Sequence, residues 1–153
     1  MGDWIKLIDT GNSWANIVIG IILFYVGIKL FSGGFKSMGD TAWLQWFVQN
    51  PAMMFVGAIG CTLAWQSSSL TTAAIVGLVA SGILPLPGAI AAVLGANIGT
   101  TGTIWIAGIL ATDGRLTGDA LRIAIAHTGF NLTMGLTMLP FVRPIAAFIQ
   151  RIT

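Results

Sequence analysis

The chain has 153 residues, 56% of them hydrophobic and 8% charged, with a formal net charge of +2 and a mean hydropathy of +0.88. A water-soluble domain carries about 25% charged residues, so an aqueous surface cannot be covered here and an integral membrane protein is expected. No basic run suggests nucleic acid, and a single cysteine, Cys61, excludes a disulfide framework or a cysteine metal site within one chain.

The first twelve residues mix acidic and basic side chains and lack the cationic start and small-residue cleavage site of a signal peptide. Met1 is therefore expected to be a true start and the first apolar run to be retained. That run, 13–31, is long enough to cross a bilayer, which takes about 20 residues, and Gly33-Gly34 is expected to end it. Trp14 and Tyr25 are candidate interfacial aromatics. Asp3, Lys6 and Asp9 flank its start, and Lys29, Lys36 and Asp40 are read as its closing flank. Residues 41–49, with Trp43 and Trp46, are too short and mixed to span and suggest a helix lying at the interface.

Asn50-Pro51 is a helix-start signal, because proline suits the first turn. The apolar stretch 52–65 is short for a crossing and stops at Gln66-Ser67-Ser68-Ser69, with Thr71-Thr72 directly after. A second short stretch, 73–80, ends before Pro85 and Pro87. Length alone leaves open whether 50–80 is one span or a re-entrant hairpin. From 88 to 111 runs a crossing-length segment, expected to be broken near Asn97-Ile98-Gly99-Thr100-Thr101-Gly102. The last crossing covers 116–139, its apolar part beginning near Leu121, and an amphipathic tail follows at 141–152. No useful β alternation exists, so the class is all-α.

Two polar clusters stand in mid-membrane context, Gln66 to Thr72 and Asn97 to Thr101. Backbone groups left free in lipid cost several kcal/mol each, so a broken helix at that depth is tolerated only where protein or a water-filled cavity satisfies it. Secondary transporters build their sites from such breaks, with N–H groups facing an anion and oxygens facing Na⁺. The plain alternative for the first cluster is polar glue between helices. For the second it is close packing through the Gly95/Gly99 small-xxx-small pattern. Neutral oxygen donors suit Na⁺, whereas a proton carrier needs a titratable group inside the membrane. No Asp or Glu falls in the apolar part of a predicted crossing; there is no glutamate at all. His127 is the central titratable group, more simply read as a packed histidine than as a relay. Arg122 is either an anion attractor or an interfacial charge.

Four segments in this order resemble the type II sodium/phosphate cotransporter family. They are Asn50-Pro51, Gln66-Ser67-Ser68-Ser69 with Thr71-Thr72, Gly95-Ala96-Asn97-Ile98-Gly99-Thr100-Thr101, and Arg122 through His127 to Phe130-Asn131. The resemblance covers about residues 20–139. It implies one repeat of an inverted-repeat transporter, with 50–80 as a re-entrant hairpin whose Gln-Ser-Ser-Ser tip binds phosphate or Na⁺. By the same resemblance Thr71 and Thr72 border the site, and Asn97, Thr100 and Thr101 complete it. Na⁺ as coupling ion would be held through Gln66, Ser68, Ser69, Asn97 and Thr100, with Arg122, His127 and Asn131 as secondary residues. No other cofactor is implied.

Full-length members of that family carry two repeats, and this sequence has a single Gln-Ser-Ser-Ser. A partner is therefore expected. Three crossings place the two termini on opposite faces, and the basic residues nearly balance: Lys6, Arg115 and Arg122 on one side, Lys29, Lys36, Arg143 and Arg151 on the other. The positive-inside rule has little to act on, which favours an antiparallel, dual-topology homodimer; a parallel dimer and a homologous second half as partner are the other arrangements. The expected function is sodium-coupled symport of inorganic phosphate by alternating access, in the bacterial inner (plasma) membrane. Two readings stand beside it: transport of another anion on the same scaffold, or a non-transporting assembly or regulatory subunit. An enzyme is not expected, since Ser67 to Ser69 lack an identifiable base and His127 lacks a carboxylate or cysteine partner.

Overall fold

The computed structural model of the chain describes residues 9–37, 41–111 and 116–153; the charges Asp3, Lys6, Asp40, Asp113 and Arg115 lie outside them. Every regular element among the described residues is helical. In chain order these are α1 (Ser13–Ser37), α2 (Ala42–Gln49), α3 (Pro51–Trp65), α4 (Ser68–Ala80), α5 (Leu86–Ala111), α6 (Gly118–Met138), a 3-10 turn (Leu139–Phe141) and α7 (Val142–Ile152). Among the described residues three helical stretches are long and apolar enough to cross a membrane, α1, α5, and α6 with its continuation, and the bent α2–α3 pair makes a fourth if it is one span. The chain is an all-α membrane protein.

The start of α1 is set by Asn12, whose side chain accepts the backbone N–H groups of Trp14 at 3.0 Å and Ala15 at 3.3 Å. The helix does not stop at Gly33-Gly34 as expected but continues to Ser37. A glycine inside a helix costs about 1 kcal/mol, whereas opening the helix in lipid strands backbone groups at several kcal/mol each. The continuation relocates Lys29. It stands eight residues before the helix end (37 − 29 = 8), about 12 Å inside at 1.5 Å per residue, so it is not a flanking charge.

Asn50 turns the chain by 93° between α2 and α3. Its side chain accepts from Ala52 N–H at 3.0 Å and Met53 N–H at 3.4 Å, while Pro51 has no N–H to leave unpaired. α2 turns Leu44 and Val48 into the core and Trp43 and Trp46 outward. α3 and α4, at 15 and 13 residues, reach about 22 and 20 Å, short of the ~30 Å hydrocarbon thickness. Both lie against α5. Between them an apolar gap of about 120 Å³ remains, walled by Phe47, Met54, Cys61, Ala74 and Leu78.

The break expected in 97–102 is absent: α5 is one continuous helix of 26 residues. Two facts explain why these residues look like a break and are not. The Thr100 and Thr101 hydroxyls return to carbonyls of their own helix, Ala96 at 2.9 Å and Ile98 at 2.7 Å. The glycines serve close packing instead. A Cβ on Gly95 would fall onto the carbonyl oxygen of Phe55, and one on Gly99 would lie 2.6 Å from Thr62 Cβ. With Ala91, Ala92 and Ala96 fully buried, α5 offers α3 a seam with almost no side chains, the small-residue packing of membrane helices.

The core forms around that seam. Leu44, Val48, Met54, Ala58, Ile75, Leu78 and Ala92 join α2, α3, α4 and α5, and Phe55, Ala91 and Val142 bring α7 back against α3 and α5. α6 is tied to α5 by Trp105, whose indole N–H donates to Thr128 Oγ1 at 2.9 Å.

Candidate ion and anion site at the hairpin turn

Two side chains shape the turn between α3 and α4. Gln66 takes the left-handed conformation (φ 54°, ψ 31°), alone among the described non-glycine residues. Such a backbone costs about 1–3 kcal/mol. Its side-chain amide donates to the Leu63 carbonyl, one of the acceptors that a helix end leaves unpaired. Ser67 is extended and caps α4, its hydroxyl oxygen accepting from Leu70 N–H at 3.2 Å. The first two residues of Gln-Ser-Ser-Ser are thus held as caps, and Ser68 and Ser69 open the first turn of α4.

Thr71 is buried and structural in its contacts. Its hydroxyl donates to the Ser67 carbonyl at 3.1 Å and accepts the Trp65 indole N–H at 2.8 Å. A hydroxyl has one proton to give, so Thr62 is the donor across the 2.7 Å Thr62–Thr71 contact. This knot fixes the angle between the two arms.

The remaining hydroxyls face a cavity of about 890 Å³ between α1, α4 and α5. Ser68, Ser69 and Thr72 line it from α4, and Asn97 from α5. Asn97 lies two residues from both Gly95 and Gly99, about 200° around the helix, so the face opposite the packed seam carries the amide. Thr100 and Thr101 do not reach the cavity; their hydroxyls are engaged within α5. Of the nine residues expected at the site, the cavity gathers Ser68, Ser69, Thr72 and Asn97. Gln66, Ser67 and Thr71 build the turn that presents them.

The secondary residues stand elsewhere. Arg122 pairs with Asp119 at 2.9 Å on the exposed start of α6. Asn131 donates its side-chain amide to the His127 carbonyl at 2.8 Å. His127 Nδ1 is buried without a hydrogen-bond partner. None of the three lines the cavity.

What sequence reasoning missed is the opposite wall. Tyr25, Lys29, Ser32 and Lys36 of α1 line the same cavity. The signal was present as spacing: these four recur at intervals of 4, 3 and 4 residues, one face of a helix. Read as flanking charges, the lysines could not be seen as a face. No carboxylate lines the cavity among the described residues, and no group of three His, Cys, Asp or Glu comes together among them. Any cation held here would meet neutral oxygens.

A family model described as Na⁺/Pi-cotransporter matches residues 23–149, which takes in both hairpin arms, the turn, Asn97 and the Lys29–Lys36 face. The chain belongs to the Na⁺/Pi-cotransporter family. Among relatives, human sodium-dependent phosphate transport protein 2C is 44% identical over 73 residues, covering 48% of this chain and 12% of the relative. Human sodium-dependent phosphate transport protein 2B is 30% identical over 131 residues (81% and 19%). Protein 2A of Rattus norvegicus is 32% identical over 144 residues (88% and 23%). The chain therefore spans roughly an eighth to a quarter of the length of these relatives. No solved structure matches it.

Proposed function

We propose that the chain is a transport unit for sodium-coupled symport of inorganic phosphate. The observation that carries this reading is the cavity at the hairpin turn, where the Ser68, Ser69 and Thr72 hydroxyls meet the Asn97 amide beside the N-terminus of α4. Hydroxyls and helix N–H groups suit an oxyanion, and neutral oxygens suit Na⁺. In this scheme Na⁺ is bound by Ser68, Ser69 and Asn97, with Gln66 contributing its amide oxygen because the nitrogen is engaged with Leu63. Gln66, which does not line the cavity, and Thr100, turned into its own helix, would both have to move to join them. The relatives' names, which specify sodium-dependent phosphate transport, support the choice of substrate and coupling ion.

The working assembly is an antiparallel homodimer in the inner (plasma) membrane, moving by alternating access. One copy supplies one hairpin and one wall of hydroxyls, and a second, inverted copy supplies the facing set. Charge balance supports both insertions. Removing the intramembrane Lys29 from the count leaves Lys36, Arg143 and Arg151 on one face against Lys6, Arg115 and Arg122 on the other, so the positive-inside rule selects neither orientation.

The test is uptake of labelled phosphate by protein reconstituted alone in proteoliposomes, with and without an inward Na⁺ gradient. S68A/S69A is the site variant, chosen because Ser67 also caps a helix. Na⁺-dependent uptake that disappears in S68A/S69A is the expected result. Folded protein that takes up no phosphate under a Na⁺ gradient, or a variant that transports normally, would sink the proposal. Sulfate or carboxylate uptake in place of phosphate would establish the other-anion reading. Labelling of residues near Met1 from one face only would overturn the antiparallel assembly.

A further inference from the structure

Lys29 stands about 12 Å inside a membrane-crossing helix by the 1.5 Å rise per residue, and an ionisable side chain at such depth is expensive unless it faces a partner or a watered cavity. Lys29 faces the cavity, as does Lys36 two turns on. Neither lysine makes an ion pair among the described residues; the Lys29 ammonium instead lies 5.6 Å from the centre of the Tyr25 ring, on the same face. Between them is Ser32, 7% exposed, whose Oγ has no hydrogen-bond partner. A buried hydroxyl left unpaired costs about 1–3 kcal/mol, and this one borders the cavity too. The helices come together there because residue 77 is glycine: a Cβ on Gly77 would lie 2.6 Å from Ser32 Oγ.

Two cations without an ion pair and an orphaned hydroxyl on one wall, with no carboxylate facing them among the described residues, call for an anion with several acceptor oxygens. We propose that Lys29, Ser32 and Lys36 of α1 form a cationic wall that binds a tetrahedral oxyanion against Ser68, Ser69 and Thr72 of α4. The inference rests on the transport reading for the choice of phosphate but not for the choice of charge. Lys36, at the helix end, draws the anion from the aqueous side; Lys29 holds it at depth, where the lower dielectric strengthens the attraction. Ser32 donates its hydroxyl to the bound anion and so acquires the partner it lacks. The wall supplies ground-state binding, so its removal raises the phosphate concentration needed and leaves the rate at saturation nearly intact.

The experiment uses the full chain purified in detergent, with wild type, K36Q, K29Q/K36Q, K29R/K36R and S32A compared. Binding of phosphate and of sulfate is measured by calorimetry at fixed Na⁺, and the same set is assayed for uptake in proteoliposomes. K36Q, an exposed position at a helix end, should weaken oxyanion binding several-fold and K29Q/K36Q by about tenfold or more, the size expected of partly screened charges. K29R/K36R should restore most of it, and S32A should weaken it a few-fold. Half-saturating phosphate for uptake should rise in step while the maximal rate changes less than threefold. Unchanged binding in both K36Q and K29Q/K36Q overturns the wall and leaves the transport reading standing. A wild type that binds neither phosphate nor sulfate overturns the wall as well. Wild type that binds sulfate but not phosphate, with loss in K29Q/K36Q, upholds the wall and defeats the phosphate reading.

Discussion

Replacing Gly95 by alanine tests the seam on which the whole arrangement stands. The added methyl would fall onto the Phe55 carbonyl oxygen, a backbone atom in mid-helix that cannot rotate away, so α5 and α3 must separate by about an ångström to restore ordinary contact. Phe55 is buried, and so are Ala91, Ala92 and Ala96 along the same seam. A large buried side chain holds some 50 contacts of about 0.15 kcal/mol each, and a gap of this size forfeits at least a quarter, about 2 kcal/mol for Phe55 alone. Alanine's better helix propensity returns up to about 1 kcal/mol. Counting the alanines as well, G95A should destabilise by about 1–3 kcal/mol, the usual range for overpacking. G129A is the internal control: a Cβ there meets nothing within 4 Å, so the propensity gain stands alone and the variant should be neutral or slightly more stable. The assay is unfolding of purified protein in a fixed detergent, read by tryptophan fluorescence, with all variants compared in one micelle. If G95A proves as stable as G129A, α3 and α5 are not in backbone contact at this point and the packing argument fails.

Three further outcomes are expected. S67A should cost about 0.5–2 kcal/mol of stability through the lost cap, whereas S68A and S69A should each stay within about 0.5 kcal/mol while lowering uptake; the separation of stability from transport is the check. T71V should destabilise by about 2–4 kcal/mol, because the Trp65 N–H and the Thr62 hydroxyl each lose their acceptor on Thr71 while the Ser67 carbonyl keeps the backbone N–H of residue 71, and a shifted Trp65 emission should accompany it. Asp9 is held below the ordinary carboxylate range by the Gly11 N–H and then by the Asn16 amide. A lowered value stabilises the charged form, so the turn ahead of α1 should persist from neutral pH down through the usual carboxylate range. It should open only as pH falls through the lowered value, which amide exchange at Gly11 would report.

Which parts of the molecule could be read without coordinates follows from the physics of each signal. Apolar length revealed α1, α5 and α6, because the bilayer imposes one length on every crossing. Asn50-Pro51 and Gln66-Ser67 were legible as a start and a stop, since capping is local and needs only neighbouring residues. Asn97 to Thr101 misled, because hydroxyls that turn back on their own helix and glycines that admit a facing backbone have the same composition as a break. Only the neighbouring helix distinguishes them, and that neighbour is 40 residues away in Phe55 (95 − 55 = 40). Lys29 was mistaken for a flank for a related reason. A charge near the end of an apolar run marks the membrane surface when the helix stops there, and α1 does not stop.

The unfilled gap between α3 and α4 bears on how readily the hairpin flexes. It is a groove of about 120 Å³ open on one side, walled also by Phe31 and Phe35 of α1 and almost wholly apolar, so water gains little by entering. Side chains bordering it are not packed against protein across the groove, so approach of the two arms brings new attraction before any repulsion is met. The arms are therefore joined stiffly at the Thr62–Thr71–Trp65 knot and softly along their length. Such a body is compressible in one direction: hydrostatic pressure should draw the arms together at constant secondary structure, and a small inert guest such as xenon should wedge them apart.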